Sequence, residues 1–380
     1  MPNGLRVCLA ELYPSQVMAW RELSPRDFNA LKSALVIDVR SPCEHAAERI
    51  LESINIPLLS DGERAEVGTI YKQQGDIPAR RYALQIISPK IPSFVQEIAS
   101  LKRHGVPVVV YCWRGGMRSE SVASVLSIAG LDCLRLTGGY KAWRATVLED
   151  LAAPLPFQTV VLHGFTGCGK TELLAELAKR GAQVLDLESL AVHRGSTFGG
   201  LGLSEQPTQK NFDAALWATL RQFKDGVVFV EGESRKIGRL AVPDRLHERI
   251  HNCEPILITG SLARRAERIA QDYLRSTADG QEKGTASALK MLESIKPRLG
   301  AARTQEIANL ALAGRIIEAV TILLEEYYDP LYSRQIDKYS PILTVNADDV
   351  PAAADEILRW HAETAPGTYV QATNNLSAYS

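Results

Sequence analysis

Short β-branched runs alternate with stretches of helical period along most of the 380-residue chain. Buried strands are predicted at ALVIDVR (34–40), SINIPL (53–58) and PVVVYC (107–112), each a compact apolar run bounded by turn-forming or polar residues. SESVASVLSIAG (119–130) then places Val122, Val125, Leu126 and Ala129 on one helical face, with Gly130 as its C-cap. LDCLRLTGGYKAWRA (131–145) closes this half with a strand, a Gly-Gly turn and a helix. Two prolines break the pattern in EDLAAPLPFQ (149–158), which marks a boundary between a domain at 1–150 and a second at 151–363.

The second half opens with the strand QTVVLHG (158–164), a Gly-rich loop and the helix KTELLAELAKRG (170–181). Strands are expected at AQVLDLESL (182–190), GVVFVEG (226–232), EPILITG (254–260) and YSPILTVNA (339–347). Helices are expected at NFDAALWATLRQF (211–223), SLARRAERIAQDYL (261–274), over most of 286–328, and at VPAAADEILRWH (350–361). Residues 364–380 are polar and aperiodic and read as a mobile tail. Strictly alternating strands and helices predict an α/β protein of two domains, both with mostly parallel sheets.

Composition changes this picture little but removes whole classes. No stretch approaches 18 apolar residues, and the N-terminus lacks the basic-then-apolar build of a signal peptide, so a cytoplasmic protein without a membrane partner is expected. Six cysteines in no metal-like pairs point to free thiols in a reducing compartment, and no metal-ligating residues are assigned. A net charge of −1 means that any nucleic-acid partner must be held by a local basic patch.

GFTGCGKT (164–171) matches G-x-x-x-x-G-K-[ST] between a β-branched strand and a helix, the context that this phosphate-binding loop requires. Gly164, Gly167 and Gly169 let the loop curl so that successive N–H groups point inward; Lys170 adds a point charge, and Thr171 can hold a magnesium ion. Cys168 occupies a position that the pattern leaves free and receives no chemistry. Glu231, at the end of VVFVE, stands where a second acidic residue of such folds acts on metal or water, or else simply starts a helix. Arg235, Lys236, Arg239, Arg264, Arg265 and Arg268 form the best local basic surface in the chain and are the candidate contacts for tRNA or phosphate. Each taken singly also reads as a solvated surface residue.

Cys112 follows one predicted strand and precedes a helix, so CWRGGMR is a loop whose amides can converge on sulfur. Those N–H groups, with Arg114, Gly115, Gly116 and Arg118, would stabilise a thiolate and an anion beside it. An inert core cysteine does not need two glycines and two arginines immediately after it.

VIDVRSPCEH, INIPL, VVVYCWRGGMRS and LTGGYKAWR together resemble a rhodanese domain over about residues 15–147. The resemblance makes Asp38 the acidic strand-end residue, Arg40 structural, and Cys112 the sulfur-carrying residue. Many single-domain rhodaneses use C-x4-R, whereas this loop is C-x5-R, as in the related phosphatases that fit a tetrahedral oxyanion. Followed by the phosphate loop, and with ERAEVGTIYKQQG (63–75), AVHRGSTFGGLG (191–202), EGESRKIG (231–238) and YYDPLY (327–332), the chain resembles the tRNA 2-selenouridine synthase family along nearly its whole length.

That resemblance implies replacement of sulfur by selenium in the wobble 2-thiouridine of certain tRNAs. Geranyl diphosphate would make an S-geranyl intermediate, selenophosphate would donate selenium, and no tightly bound cofactor is expected, Thr171 offering a place for Mg2+. A selenophosphate-supplying enzyme becomes an expected partner. Loop 164–171 is then expected to cradle the leaving diphosphate and Cys112 to handle selenophosphate, as a covalent carrier or by orienting the nucleophile. His193 and Arg194 would contact diphosphate or base, a structural role for His193 standing beside this. The run 63–75 would cover the thiol loop, meet the second domain, or be a plain surface helix. Rival readings are a P-loop kinase or NTPase with a rhodanese or phosphatase-like C-x5-R module, a phosphatase or arsenate reductase, and a non-enzymatic sensor.

Overall fold

The computed structural model describes residues 20–195, 199–200, 203–253, 255–278, 289, 292–336 and 340–364, without the side chains of 272–278 and 334–336. The chain divides into two compact units, Met1–Asp150 and Leu151–Ser380.

In the first unit, β1 (Arg21–Leu23), α1 (Pro25–Ala30), β2 (Leu35–Asp38), α2 (Pro42–Ala47) and β3 (Ile54–Asn55) precede a helical excursion. That excursion is α3 (Asp61–Gln74), α4 (Asp76–Ile87) and α5 (Ile91–Leu101). It returns through β4 (Val108–Tyr111), α6 (Met117–Ile128), β5 (Cys133–Leu136) and α7 (Gly139–Ala152). The sheet order is β1-β5-β4-β2-β3, every pair parallel. β4 is buried at all four positions, which is why its sequence runs apolar rather than alternating. Helix α6 starts at Met117 behind an N-cap Gly116, two residues earlier than the apolar face indicated, and Ala129 rather than Gly130 is its C-cap. The 63–75 run lies almost wholly in α3, which buries no residue and packs against α4. Its first turn meets α2: the Cys43 N–H donates to Asp61 at 3.0 Å, and Arg64 approaches Glu44 at 3.4 Å.

The second unit runs β6 (Gln158–Gly164), α8 (Lys170–Lys179), β7 (Gln183–Leu185), α9 (Leu187–Ala191), α10 (Gln209–Leu220) and β8 (Val227–Glu231). It continues with β9 (Lys236–Ile237), β10 (Leu240–Ala241), α11 (Asp244–His251), β11 (Pro255–Thr259) and α12 (Leu262–Ala278). Helices α13 (292–299), α14 (Ala301–Leu312), α15 (Ile316–Leu323), a π turn (Leu324–Tyr328) and α16 (Asp329–Ile336) lead to β12 (Leu343–Asn346) and α17 (Val350–Thr364). The main sheet is β12-β11-β6-β8-β7, all parallel, with β9 and β10 as a separate antiparallel pair. The predicted strand 182–190 is mostly not one: after Leu185, Asp186 accepts the Ser189 N–H at 2.7 Å and caps α9. The expected tail lies outside the described residues apart from Thr364, which ends α17.

In each sheet the candidate loop leaves a strand with neighbours on both sides, beside the point where successive connections reverse direction. β4 lies between β5 and β2, and β6 lies between β11 and β8. Ligands of open α/β sheets bind at such carboxyl-end crevices. No helix among the described residues is long and apolar enough to cross a membrane.

Candidate functional site

The thiol loop is shaped by contacts on its carbonyl side. Tyr140 and Lys141, at the start of α7, donate their N–H groups to the carbonyls of Cys112 and Trp113 at 2.9 and 3.0 Å. Arg135 donates to the Gly115 carbonyl at 2.5 Å. Gly139 is needed for this approach: a Cβ there would stand 2.2 Å from the Cys112 oxygen and 2.5 Å from the Gly115 nitrogen. With those carbonyls engaged, the first-turn N–H groups of α6, which have no partner inside the helix, end on the loop. Cys112 itself is 3% exposed, and its Sγ lies 3.2 Å from the hydroxyl of buried Ser119. Sequence reading missed Ser119, whose signal is its position directly after Arg118.

The two loop arginines differ from their expected roles. Arg114 is exposed. Arg118 is not a free cation: its guanidinium donates to Glu44 at 2.7 and 3.4 Å. Burial pushes the Glu44 carboxyl up, but Arg118, the Ser41 N–H and Arg64 outweigh it and hold the group below the usual carboxylate range. Gly115 and Gly116 lie in the loop, Gly115 with φ +63° and packed on Gly138 and Gly139. Asp38 is wholly buried and bound by Arg40, by Tyr111 at 2.9 Å and by His45 at 3.0 Å. Burial pushes its carboxyl up; the His45 and Arg40 hydrogen bonds prevail and lower it. It therefore holds the end of β2 in place.

The phosphate loop is built to the expected plan. Gly169 caps α8 with φ +92°, and Gly167 has φ +76° with its Cα against Ile269 and the Arg265 carbonyl. At Gly164 a Cβ would meet the Ile258 carbonyl oxygen at 2.3 Å. Lys170 Nζ turns back over the loop to the carbonyls of Gly164 and Phe165 at 3.1 and 3.4 Å, and lies 4.0 Å from the buried Cys168 Sγ. Burial disfavours its charge, but Cys168, Glu188, Glu233 and Glu231 overcome this and raise its pKa.

The structure adds Glu188 and Glu233 to the Glu231 and Thr171 that the sequence singles out. Glu188 from α9, Glu231 from the end of β8 and Glu233 just beyond it bring carboxylate oxygens within 4.8 Å of one another. Thr171 donates to Glu188 at 3.0 Å, and the Glu188 N–H donates to Glu231 at 2.9 Å. Burial pushes all three carboxyls up; the neighbouring glutamates add to it at Glu231 and at Glu233, which is raised to about 8, whereas Lys170 and Thr171 oppose it at Glu188. Glu231 is 0% exposed, and its second oxygen is buried with no hydrogen-bond partner. Hard oxygen donors with an unsatisfied buried member fit a magnesium-type cation. EGES was the visible trace of Glu233; Glu188 carried no signal, because nothing local marks a helix glutamate as facing a strand end.

The expected basic surface does not form as one. Arg235 pairs with Asp244, Arg239 with Glu205 and Arg264 with Glu267, each in an exposed ion pair, while Lys236 is exposed on β9. Arg265 is 5% exposed and props the phosphate loop from behind: its Nε donates to the Thr166 carbonyl at 2.9 Å, and Asp329 of YYDPLY grips it at 2.5 and 3.0 Å. Arg268 lies against Gly169, whose Cβ would be 2.9 Å from the guanidinium carbon, and pairs with Glu172 at 3.0 Å. His193 donates its backbone N–H to the Glu188 carbonyl at 3.0 Å, and Arg194 donates its own to Gly199 at 2.9 Å. Gly195, φ +63°, sits directly on the Glu188 and Glu233 carboxylates.

Comparison with known proteins bears on this pair of loops. Residues 24–146 match the rhodanese-like domain family, and residues 157–364 match the family described as the tRNA 2-selenouridine synthase AAA domain. The tRNA 2-selenouridine synthase of Cupriavidus necator is 36% identical over 357 residues, covering 87% of this chain and 95% of that protein. The chain belongs to the tRNA 2-selenouridine synthase family. Another synthase of that name, from Pseudomonas syringae pv. syringae, is 35% identical over 81% of this chain and 91% of its own length. Among solved structures, a rhodanese-related protein of Thermoplasma volcanium matches 33% of this chain and 93% of its own, at 21% identity and a TM-score of 0.22. Within the synthase family, Cys112 and Lys170 therefore stand on loops of two separately matched domains.

Proposed function

We propose that this protein is a tRNA-modifying transferase that converts wobble 2-thiouridine to 2-selenouridine in the cytoplasm, by way of S-geranyl-2-thiouridine. The observation that carries this reading is the pairing, in one chain of the synthase family, of a thiol at the exit of β4 with a lysine-bearing phosphate loop at the exit of β6. A thiocarbonyl sulfur is a poor leaving group until it is alkylated. In the first step the sulfur attacks C1 of geranyl diphosphate, the carbon–oxygen bond breaks, and diphosphate leaves.

Charge builds on that leaving oxygen, and the loop amides of 164–169 with Lys170 would offset it. A magnesium ion held by Thr171 and Glu231 would supply further charge neutralisation there. In the second step the selenium of selenophosphate attacks C2 of the base, the carbon–sulfur bond breaks and geranyl thiol leaves with a proton, and water then cleaves the selenium–phosphorus bond to release phosphate. Cys112 and the first-turn amides of α6 would hold selenophosphate, with Arg118 released from Glu44 as the anion enters. An enzyme that makes selenophosphate is the implied supplier.

The test is incubation with 2-thiouridine tRNA and geranyl diphosphate, with and without selenophosphate, followed by mass analysis of the nucleosides. Lys170→Ala is expected to slow geranylation by about 10²-fold, or ~3 kcal/mol of leaving-group stabilisation. Cys112→Ser is expected to keep geranylation and lose selenium incorporation; equal loss of both products would refute the division of labour. The carboxylate cluster beside Thr171 favours a second reading, a magnesium-nucleotide enzyme. Rapid ATP turnover dependent on Lys170 and indifferent to tRNA would establish that reading instead.

A further inference from the structure

We infer that Glu188, Glu231, Glu233 and Thr171 form a divalent-cation site that loads on the free protein, before any phosphate-bearing substrate arrives. In the usual arrangement for a phosphate loop, the protein offers the cation one hydroxyl and one acidic side chain at a strand end, and the phosphate oxygens bring the rest. Here four oxygen-bearing side chains come from separate places in the fold: the first turn of α8, α9, the end of β8 and the residue two beyond it.

Charge makes the case. The three carboxylates share one buried neighbourhood, and Lys170 is the cation that all three act upon. One ammonium group is thus shared among three carboxyl groups. Buried carboxylates are stable only when paired, hydrogen-bonded or bound to metal. Glu231 adds an independent sign: it is fully buried, one oxygen is held by the Glu188 N–H, and the other has no hydrogen-bond partner.

The dimensions agree. Metal–oxygen bonds of about 2.1 Å put neighbouring ligands of an octahedron about 3 Å apart and opposite ones about 4.2 Å apart. The Thr171–Glu188 separation is 3.0 Å, and the carboxylate oxygens lie within 4.8 Å of one another, so a small contraction closes them on an ion. Gly195 lies over the cluster; a Cβ there would stand 2.6 Å from oxygens of both Glu188 and Glu233. The AVHRG turn is thereby given a physical task, to cover the carboxylates without filling the space between them. With four positions taken by protein, two remain for water or for diphosphate oxygens. The use made of the ion rests on the proposed diphosphate chemistry, whereas its binding does not.

The experiment is titration of the full-length protein with manganese(II) in phosphate-free buffer, following the free-ion signal by electron paramagnetic resonance. One ion per chain is expected without added diphosphate, together with a rise in the melting temperature relative to the chelator-treated protein. Glu188→Gln and Glu233→Gln should each weaken binding by tenfold or more, while Glu267→Gln, in an ion pair outside the cluster, should leave it unchanged. Gly195→Ala, which keeps every carboxylate, should also weaken binding. Binding only after inorganic diphosphate is added, or binding unaffected by the cluster variants, would overturn the inference. Manganese binding without geranyl transfer would count against the diphosphate chemistry and leave the site standing.

Discussion

The two loops leave equivalent places in two parallel sheets, yet their electrostatics are opposite. Around the thiol loop the acids are paired: buried Asp38 has Arg40, His45 and Tyr111, and half-buried Glu44 has Arg118 and Arg64. Around the phosphate loop, three carboxylates crowd one lysine. The first arrangement holds a backbone in shape, since paired charges leave little field to spend on a ligand. The second stores a field that a cation or a bound ligand can answer. A rhodanese-type loop thus relies on amides and shape, and the phosphate loop on charge.

The largest expected effect breaks the first arrangement. Arg40→Leu leaves Asp38 buried without its main partner and should cost the N-terminal unit about 3–5 kcal/mol. Calorimetry should show this as a lowered melting transition of the N-terminal unit; a loss under about 1 kcal/mol would mean that the pair is not structural.

The second prediction sets the pH responses of the two units against each other. The Asp38 carboxyl is lowered by folding, so its contribution is present above the ordinary aspartate pKa and is lost as pH falls through the folded value. Glu233 is raised to about 8, so its contribution is full below the ordinary glutamate pKa and is lost as pH rises towards 8. In metal-free buffer, Glu233→Gln should therefore melt above the wild type by about 4 °C or more at pH 8, and the gap should close near pH 5. An equal gap at both pH values would contradict the crowding of the carboxylates.

The smallest effect concerns the gate on the thiol loop. Glu44→Gln removes the competitor for Arg118 and should cost at most about 1 kcal/mol of stability, because the pair is partly exposed. It should speed alkylation of Cys112 by iodoacetate relative to iodoacetamide about two- to fivefold, as a freed guanidinium attracts the anionic reagent. An unchanged ratio would show that Arg118 does not face the anion.

Much of this architecture was legible along the chain. VVVYC and QTVVLHG announce buried strands, because parallel strands covered on both faces must be apolar throughout. GFTGCGKT announces its loop, because a backbone that curls around phosphate needs glycine at fixed places. Asp186 misled the strand reading at 182–190, since a helix cap directly after a strand end leaves an apolar run that looks continuous. The arginines misled it further: clustered in sequence, they were expected to make one basic surface, but Arg264 pairs along its own helix and the others found an acid or a carbonyl from another segment.

What the sequence by itself determined is therefore what local chemistry controls: strand and helix order, the two loops, and the thiol and lysine they carry. The tertiary structure alone decided which charges are free. Glu44 reaches Arg118 across 74 positions, and Glu188 and Glu233 meet across 45. Ion pairs and cation sites depend on distances of a few ångströms between segments far apart in the chain, and no local pattern encodes those distances.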